Sequence, residues 1–220
     1  MKTLKLLSAL LSYPSAELIA ALPEISQRLN ADTALRRATQ DGLAGLLAEL
    51  KRTDLLDLQE RYVAQFDTGR STSLHLFEHV HGDSRDRGQA MVDLNALYAR
   101  AGFVLAVNEL PDYLPALLEY LSSRPSAEVH ELIEDCAHIL RAIGERLAAG
   151  GSPYAAVFAA LLDVQRAAPL KLPKITAKSP PALPLDEDWD EAPVEFGPNA
   201  ATHGAQQSRP QFIRFVPKHP

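Results

Sequence analysis

The stretch SAEVHELIEDCAHILRAIGERLAAGG (126–151) decides the fold class of this 220-residue chain. Its apolar residues recur at intervals of three or four, which places them along one face of an α-helix. Ser126 is a suitable N-cap, and Gly150-Gly151 is a typical stop signal. The stretch therefore predicts a long amphipathic helix that buries the stripe Val129, Leu132, Cys136, Ile139, Ile143 and Leu147.

The same period recurs on both sides of this helix, and each repeat follows a residue that caps or starts helices. No alternating strand pattern of comparable length interrupts the repeats. We therefore predict an all-α fold, a single helical bundle domain of about eight helices over residues 1–168. After the N-terminal helix, the predicted starts are Ser15, Asp32, Asp54, Asp83 or Ser84, Pro111-Asp112, Ser126 and Ser152-Pro153.

The composition changes at Pro169, where helical periodicity ends. Ten of the 16 prolines lie between Pro169 and Pro220, so residues 169–220 are predicted to form a Pro-rich, largely disordered tail. Two islands in this tail retain aromatic residues, the acidic stretch Asp186–Phe196 and the stretch Phe212–Val216. Each island is suited to dock on the helical domain or on a partner.

Charge and cysteine content exclude several classes of protein. The net charge of −6, without a basic stripe, argues against a nucleic-acid binder. The single cysteine, Cys136, cannot form an internal disulfide and is predicted to be a buried thiol in a reducing compartment.

The apolar run near the N-terminus is too short for a secretory signal, and no segment is long enough to insert into a membrane. These features predict a cytoplasmic protein.

A histidine-rich segment offers the one candidate metal site. His75 and His79 have i, i+4 spacing, and Glu78, His81 and Asp83 lie beside them. A helical metal-dependent hydrolase using His75, His79 and His81 is therefore the alternative hypothesis. No HExxH motif, cysteine pair or phosphate-binding loop accompanies the cluster. We expect instead a binding module that is not an enzyme, with no metal and no cofactor.

Charges around the same segment are placed against the helix dipoles. Asp67 follows the end of the fourth predicted helix, whereas Arg85 and Arg87 lie at the start of the fifth. A charge placed against a helix dipole costs free energy. Pairing of Asp67 or Glu78 with these arginines would offset that cost and form a salt-bridged loop. The functional interpretation is that the charges line a groove that receives a peptide, beside Tyr62, Phe66 and Phe77.

A second polar island, NELPDY (108–113), precedes the sixth predicted helix. Pro111 and Asp112 suit turn and capping positions. Glu109 is not needed for that role. Two acids beside Tyr113 would suit a peptide that carries Arg or Lys along an apolar helical face.

These residues carry a family resemblance. The run SLHLFEHVHGDSRDRGQAMVDL (73–94), with Tyr62, Phe66 and Asp67 before it and NELPDYLP (108–115) after it, closely resembles the assembly chaperones, or delta subunits, of respiratory nitrate reductases. These chaperones belong to the wider family of redox-enzyme maturation chaperones that serve molybdoenzymes. The resemblance covers residues 1–165, and in the tail only Trp189–Phe196 is similar.

The resemblance implies an all-helical, cytoplasmic, non-catalytic protein. Family members bind the apo catalytic (alpha) subunit, including its N-terminal leader-like peptide, and keep it open for insertion of the molybdenum cofactor before membrane docking. In the wider family the acidic motif is commonly Glu-Pro-Asp followed by His. Here Tyr113 stands in place of that histidine, so no histidine role is carried over at this position.

The predicted client-binding set combines the two polar islands. Its apolar members border the groove, and its carboxylates meet cationic residues of the client. His79 and His81 are equally suited to scaffolding of the loop, through hydrogen bonds from neutral imidazole. The set is Tyr62, Phe66, Asp67, Phe77, Glu78, His79, Arg85, Arg87, Glu109, Leu110, Asp112 and Tyr113.

Overall fold

The computed structural model describes residues 2–80, 85–105 and 109–172. Over these ranges it contains eight α-helices and two short 3₁₀ helices, and it confirms the predicted all-α fold. The 3₁₀ helices, Arg70–Thr72 and Leu76–His79, both lie between α4 and α5. The α-helices are α1 (Lys2–Leu11), α2 (Ala16–Asn30), α3 (Arg37–Arg52), α4 (Leu55–Phe66), α5 (Arg85–Arg100), α6 (Leu114–Ser122), α7 (Ser126–Ala149) and α8 (Ala155–Val164).

Some predicted features lie outside the described residues. They are His81, the Asp83 or Ser84 cap, Asn108 and the tail from residue 173, including both islands. For Arg85 only the backbone, at the start of α5, is described. None of the described helices has the length and apolar character needed to span a bilayer.

Local capping explains where several helices begin. The Ser15 hydroxyl accepts a hydrogen bond from the Leu18 amide at 3.3 Å, and the Asp54 carboxylate accepts one from the Leu56 amide at 2.9 Å. Both predicted caps are confirmed. The predicted start at Asp32 is wrong, because its carboxylate accepts from the Ala34 amide in a turn and α3 begins only at Arg37.

The core is organised around α8, of which all ten residues are buried. Helices α7, α3 and α1 pack against it, and α6 packs against α1. Gly144 allows close packing, since a Cβ at this position would lie 2.9 Å from the Phe158 Cβ. Cys136 is buried as predicted, and burial raises the pKa of its thiol to about 12.

A buried carboxylate joins the start of α3 to the end of α8. Asp163 accepts a hydrogen bond from the Arg36 amide at 2.8 Å and forms an ion pair with the Arg36 guanidinium. That guanidinium also donates to the Ala167 carbonyl at 2.6 Å. Beyond the boundary predicted at residue 168, Leu170 is still buried and Leu172 contacts the core. The chain therefore stays in contact with the helical core through residue 172.

Candidate functional site

The two polar islands meet in space. The turn that precedes α6 runs alongside the segment leading into the second 3₁₀ helix. The Leu76 amide donates to the Asp112 carbonyl at 3.1 Å, and the Leu114 amide donates to the Leu74 carbonyl at 2.9 Å. We call these paired segments, residues 74–77 and 112–114, the loop junction. It brings residues that are far apart in sequence into one region of the structure.

Asp112 lies inside the loop junction rather than on its surface. Its side chain is fully buried, and its carboxylate accepts a hydrogen bond from the Phe77 amide at 3.1 Å. The same carboxylate lies 3.3 Å from His75 Nδ1. This hydrogen bond raises the pKa of His75, against the opposing effect of desolvation. Asp112, which was expected to meet cationic residues of the client, is therefore enclosed in this conformation, where the neighbouring loop supplies its partners.

Three aromatic residues expected to border an open groove are also interior. Tyr62, Phe66 and Phe77 are each at most 3% exposed. The Tyr62 hydroxyl donates to the Leu11 carbonyl at 2.7 Å and lies 2.9 Å from the Tyr113 hydroxyl. Their rings fill space between helices, which is where large aromatic surfaces are most stable. In this conformation they support a surface and do not form it.

Three of the described members of the predicted set are exposed, Asp67, Glu109 and Leu110, and with the half-buried Tyr113 we call them the acidic surface. Asp67 is exposed at the C-cap of α4, Glu109 is exposed, and Leu110 is 46% exposed. Tyr113 is half-buried. Burial raises the pKa of its phenol, and the charges of Glu109 and Asp67 raise it further. The charges of both carboxylates therefore act on the same phenol.

Sequence reasoning missed two exposed apolar neighbours of this surface. Tyr13 is 50% exposed, and its ring meets that of Tyr62 edge-on at a centroid distance of 5.5 Å. Val63, on α4, is 41% exposed. The available signal for Tyr13 was its position next to Pro14, between two helices, where an aromatic ring is not needed for the turn.

The remaining charged members form a local pair. Arg87 lies 3.5 Å from Glu78, and both side chains are largely shielded from solvent. The predicted pairing of Glu78 with an arginine of the fifth helix is confirmed. The side chain of Arg85 lies outside the described residues. Contact of Glu78, Arg85 or Arg87 with a client stays a prediction.

The two described histidines of the segment face protein partners. His75 binds Asp112, whereas His79 Nε2 lies 2.9 Å from the Ser73 carbonyl. Burial lowers the pKa of His79, which favours a neutral ring that donates to this carbonyl. Within the described ranges, no three His, Cys, Asp or Glu side chains are arranged to hold a metal ion. This geometry suits scaffolding of the loop junction.

Comparison with known proteins agrees with these motifs. The family model for the nitrate reductase delta subunit matches residues 28–160. The nitrate reductase molybdenum cofactor assembly chaperone NarJ of Escherichia coli (strain K12) is 42% identical over 201 residues, covering 88% of this chain and 84% of that protein. The probable chaperone NarW of the same strain is 39% identical, covering 92% and 87%. The probable NarJ of Bacillus subtilis (strain 168) is 30% identical, covering 73% and 86%. The chain therefore belongs to the nitrate reductase delta subunit family.

Proposed function

We propose that this protein is the assembly chaperone of a membrane-bound respiratory nitrate reductase. It binds the apo catalytic subunit, including its N-terminal peptide, and keeps that subunit competent for molybdenum cofactor insertion before membrane docking. The names of the relatives, which are assembly chaperones for the molybdenum cofactor of nitrate reductase, support this proposal. It acts in the cytoplasm, by binding and release, without catalytic turnover.

The observation that carries the proposal is the acidic surface. The charges of two exposed carboxylates, Asp67 and Glu109, act on the phenol of Tyr113, and the exposed Leu110 lies three positions before Tyr113. This combination is suited to an amphipathic helix with Arg or Lys beside its apolar face. Tyr13 extends the apolar part of the surface, because its ring packs on the buried Tyr62.

The apolar contacts supply most of the affinity in this proposal. Burial of apolar surface contributes about 25 cal/mol per Å² before the costs of association are subtracted. Exposed acid–base contacts contribute little each and chiefly orient the peptide and raise the association rate. Such binding is moderate and reversible, which suits a chaperone that must release its client.

The interior members of the predicted set take a supporting role. Asp112 and Phe77 hold the loop junction together, and Tyr62 positions Tyr113 through their hydroxyl contact. Phe66 packs against Tyr62 at a ring-centroid distance of 4.9 Å. These residues determine the shape of the acidic surface, so we expect their substitution to change stability as well as binding.

The proposal is tested by titrating a synthetic peptide, carrying the N-terminal sequence of the catalytic subunit, into the full chain. We expect Asp67→Asn/Glu109→Gln to weaken binding about tenfold in low salt, the sum of two modest charge contacts and slower association. The matched control is Asp57→Asn/Glu60→Gln, which neutralises two exposed carboxylates of α4. Equal affinity of the two double variants, measured by calorimetry, would reject the acidic surface as the peptide site.

A further inference from the structure

A second concave surface lies between α1 and α2 and is bounded by Glu119 of α6. Its volume is about 530 Å³, and it shares no lining residue with the acidic surface. We call it the N-terminal groove. Its floor consists of partly exposed apolar side chains of α1 and α2, including Leu6, Ala9 and Ala21. Two alanines in the floor leave room for a large side chain from outside the domain.

The rim of the N-terminal groove favours anions at the end where α1 begins. Lys2, Lys5 and Arg28 supply three cations, against the two carboxylates Glu24 and Glu119. Arg28 pairs with Glu24 at 2.8 Å, and Lys5 lies 3.7 Å from Glu119. In the part of the chain that the structure describes, no carboxylate lies within 4 Å of Lys2.

The helix dipole adds to this local positive charge. The first turn of α1 contains no acidic residue of its own, and the Asp32 carboxylate accepts a hydrogen bond from the Thr3 hydroxyl in that turn. Lys2 and Lys5 therefore add to the positive end of the dipole, and Asp32 offsets part of that charge. The groove thus combines an apolar floor with a cationic end in a chain whose net charge is −6. A complementary occupant carries a large apolar side chain surrounded by carboxylates.

We propose that the occupant of the N-terminal groove is the acidic island of this chain, Asp186–Phe196. The island LDEDWDEAPVEF, counted from Leu185, contains six carboxylates and no Lys or Arg, with Trp189 at the centre of its acidic run. Trp189 suits the alanine-lined floor, and the carboxylates on both sides of it suit Lys2 and Lys5. The proposed peptide site uses neither Trp189 nor the carboxylates of the island.

The segment that connects the domain to the acidic island begins beside α3 and α8. Leu172 lies close to Gly42 of α3 and, through it, to α8, since a Cβ at Gly42 would lie 2.8 Å from Leu172 Cδ1. Each of these two helices packs on one helix of the groove, α3 on α2 and α8 on α1. The 17 residues from Leu172 to Trp189 span up to about 55 Å when extended. A compact domain of this size is about 40 Å across, so the island reaches the groove.

Weak contacts are sufficient for this docking because it is intramolecular. A connection of this length gives an effective concentration on the order of millimolar, so no tight site is required. Bound in this way, the island covers apolar surface that is otherwise open to unrelated proteins. The inference is independent of the proposed function, because it concerns a contact within one chain.

Trp189 is the only tryptophan of the chain and therefore reports on its own environment. We expect the native protein to show blue-shifted emission and restricted quenching by acrylamide relative to a synthetic 185–196 peptide. Charge reversal by Lys2→Glu/Lys5→Glu should shift the emission to that of the peptide. The quenching constant should rise about threefold as the indole ring enters water.

Two comparisons make the experiment decisive. Lys51→Glu/Arg100→Glu reverses two exposed cations away from the groove and should leave the emission unchanged. Replacing the six carboxylates of the island by their amides should release Trp189 without touching the helical domain, whose integrity is checked by circular dichroism.

Three outcomes would overturn the inference. The first is native Trp189 emission identical to that of the peptide, and the second is shielded emission that persists after Lys2→Glu/Lys5→Glu. The third is shielding that increases with protein concentration from about 1 to 50 µM, because mass action would then identify a second copy as the occupant. These optical outcomes do not depend on whether other variants, such as Asp67→Asn/Glu109→Gln, lose binding of the catalytic-subunit peptide.

Discussion

Asp112 and Glu109 are three positions apart, yet they belong to regions with opposite physical requirements. Asp112 lies in the loop junction, where its carboxylate is fully buried and satisfied by the Phe77 amide and His75. Glu109 lies on the acidic surface, where water solvates its charge. Neighbouring acids of one motif can therefore have different roles, one holding two loops together and the other keeping its charge at the surface.

The largest effect should come from the loop junction. Asp112→Ala removes the acceptor of a buried backbone amide and a partner of His75, so we expect unfolding free energy to fall by about 2–3 kcal/mol. Glu109→Ala serves as the control and should change it by less than about 0.5 kcal/mol, because the side chain is exposed. Urea denaturation of both variants measures the difference. Equal losses would remove the distinction between the two regions.

A smaller loss of unfolding free energy is expected where the loop junction and the acidic surface touch. Tyr62→Phe deletes the hydroxyl that donates to the Leu11 carbonyl and contacts Tyr113, which should cost about 1–2 kcal/mol. Tyr13→Phe removes the hydroxyl of a half-exposed ring and should be nearly neutral. Thermal unfolding monitored by circular dichroism compares them. A Tyr62→Phe protein as stable as Tyr13→Phe would show that the buried hydroxyl contacts contribute nothing.

On the acidic surface we expect a substitution to lower peptide affinity with little change in stability. Leu110→Ser should leave stability within about 0.5 kcal/mol of the original, because Leu110 is 46% exposed. Peptide affinity should fall about fivefold, since apolar contact area is lost. Leu56→Ser, which changes a leucine that is 74% exposed elsewhere, is the matched control. Calorimetric affinities that do not differ between these variants would place the peptide elsewhere.

The smallest effect is a pH dependence in which two histidines act in opposite directions. The folded-state pKa of His75 is raised by Asp112, so its contribution to stability is present below the unfolded pKa of about 6.5 and is lost as pH rises through the folded value. The pKa of His79 is lowered by burial, so stability is lost as pH falls from about 6.5 toward the folded value.

Single variants separate these two contributions. His75→Gln should remove the part of the stability profile that declines toward higher pH, and His79→Gln the part that declines toward lower pH. Unfolding free energies between pH 5 and 8, about the range in which histidine titrates, provide the measurement. NMR titration of the imidazole protons checks the two directions independently. Identical profiles for both variants would contradict the opposite assignments.

Much of the helical scaffold was predictable from local pattern. The Ser15 and Asp54 caps and the pairing of Glu78 with Arg87 involve residues within nine positions of each other, so their geometry follows from nearby sequence. The burial of Asp112 was not predictable in this way. Its donor, the Phe77 amide, is 35 positions distant, and no periodicity encodes a bond between two irregular loops.

The amino-acid sequence by itself determined the helical architecture, the family and the two polar segments of interest, because apolar period, capping and motif residues act over a few positions. Only the tertiary structure decided which polar and aromatic residues of those segments lie inside. That decision depends on contacts such as Tyr62 to Leu11 and His75 to Asp112, which arise when distant segments pack and exclude water.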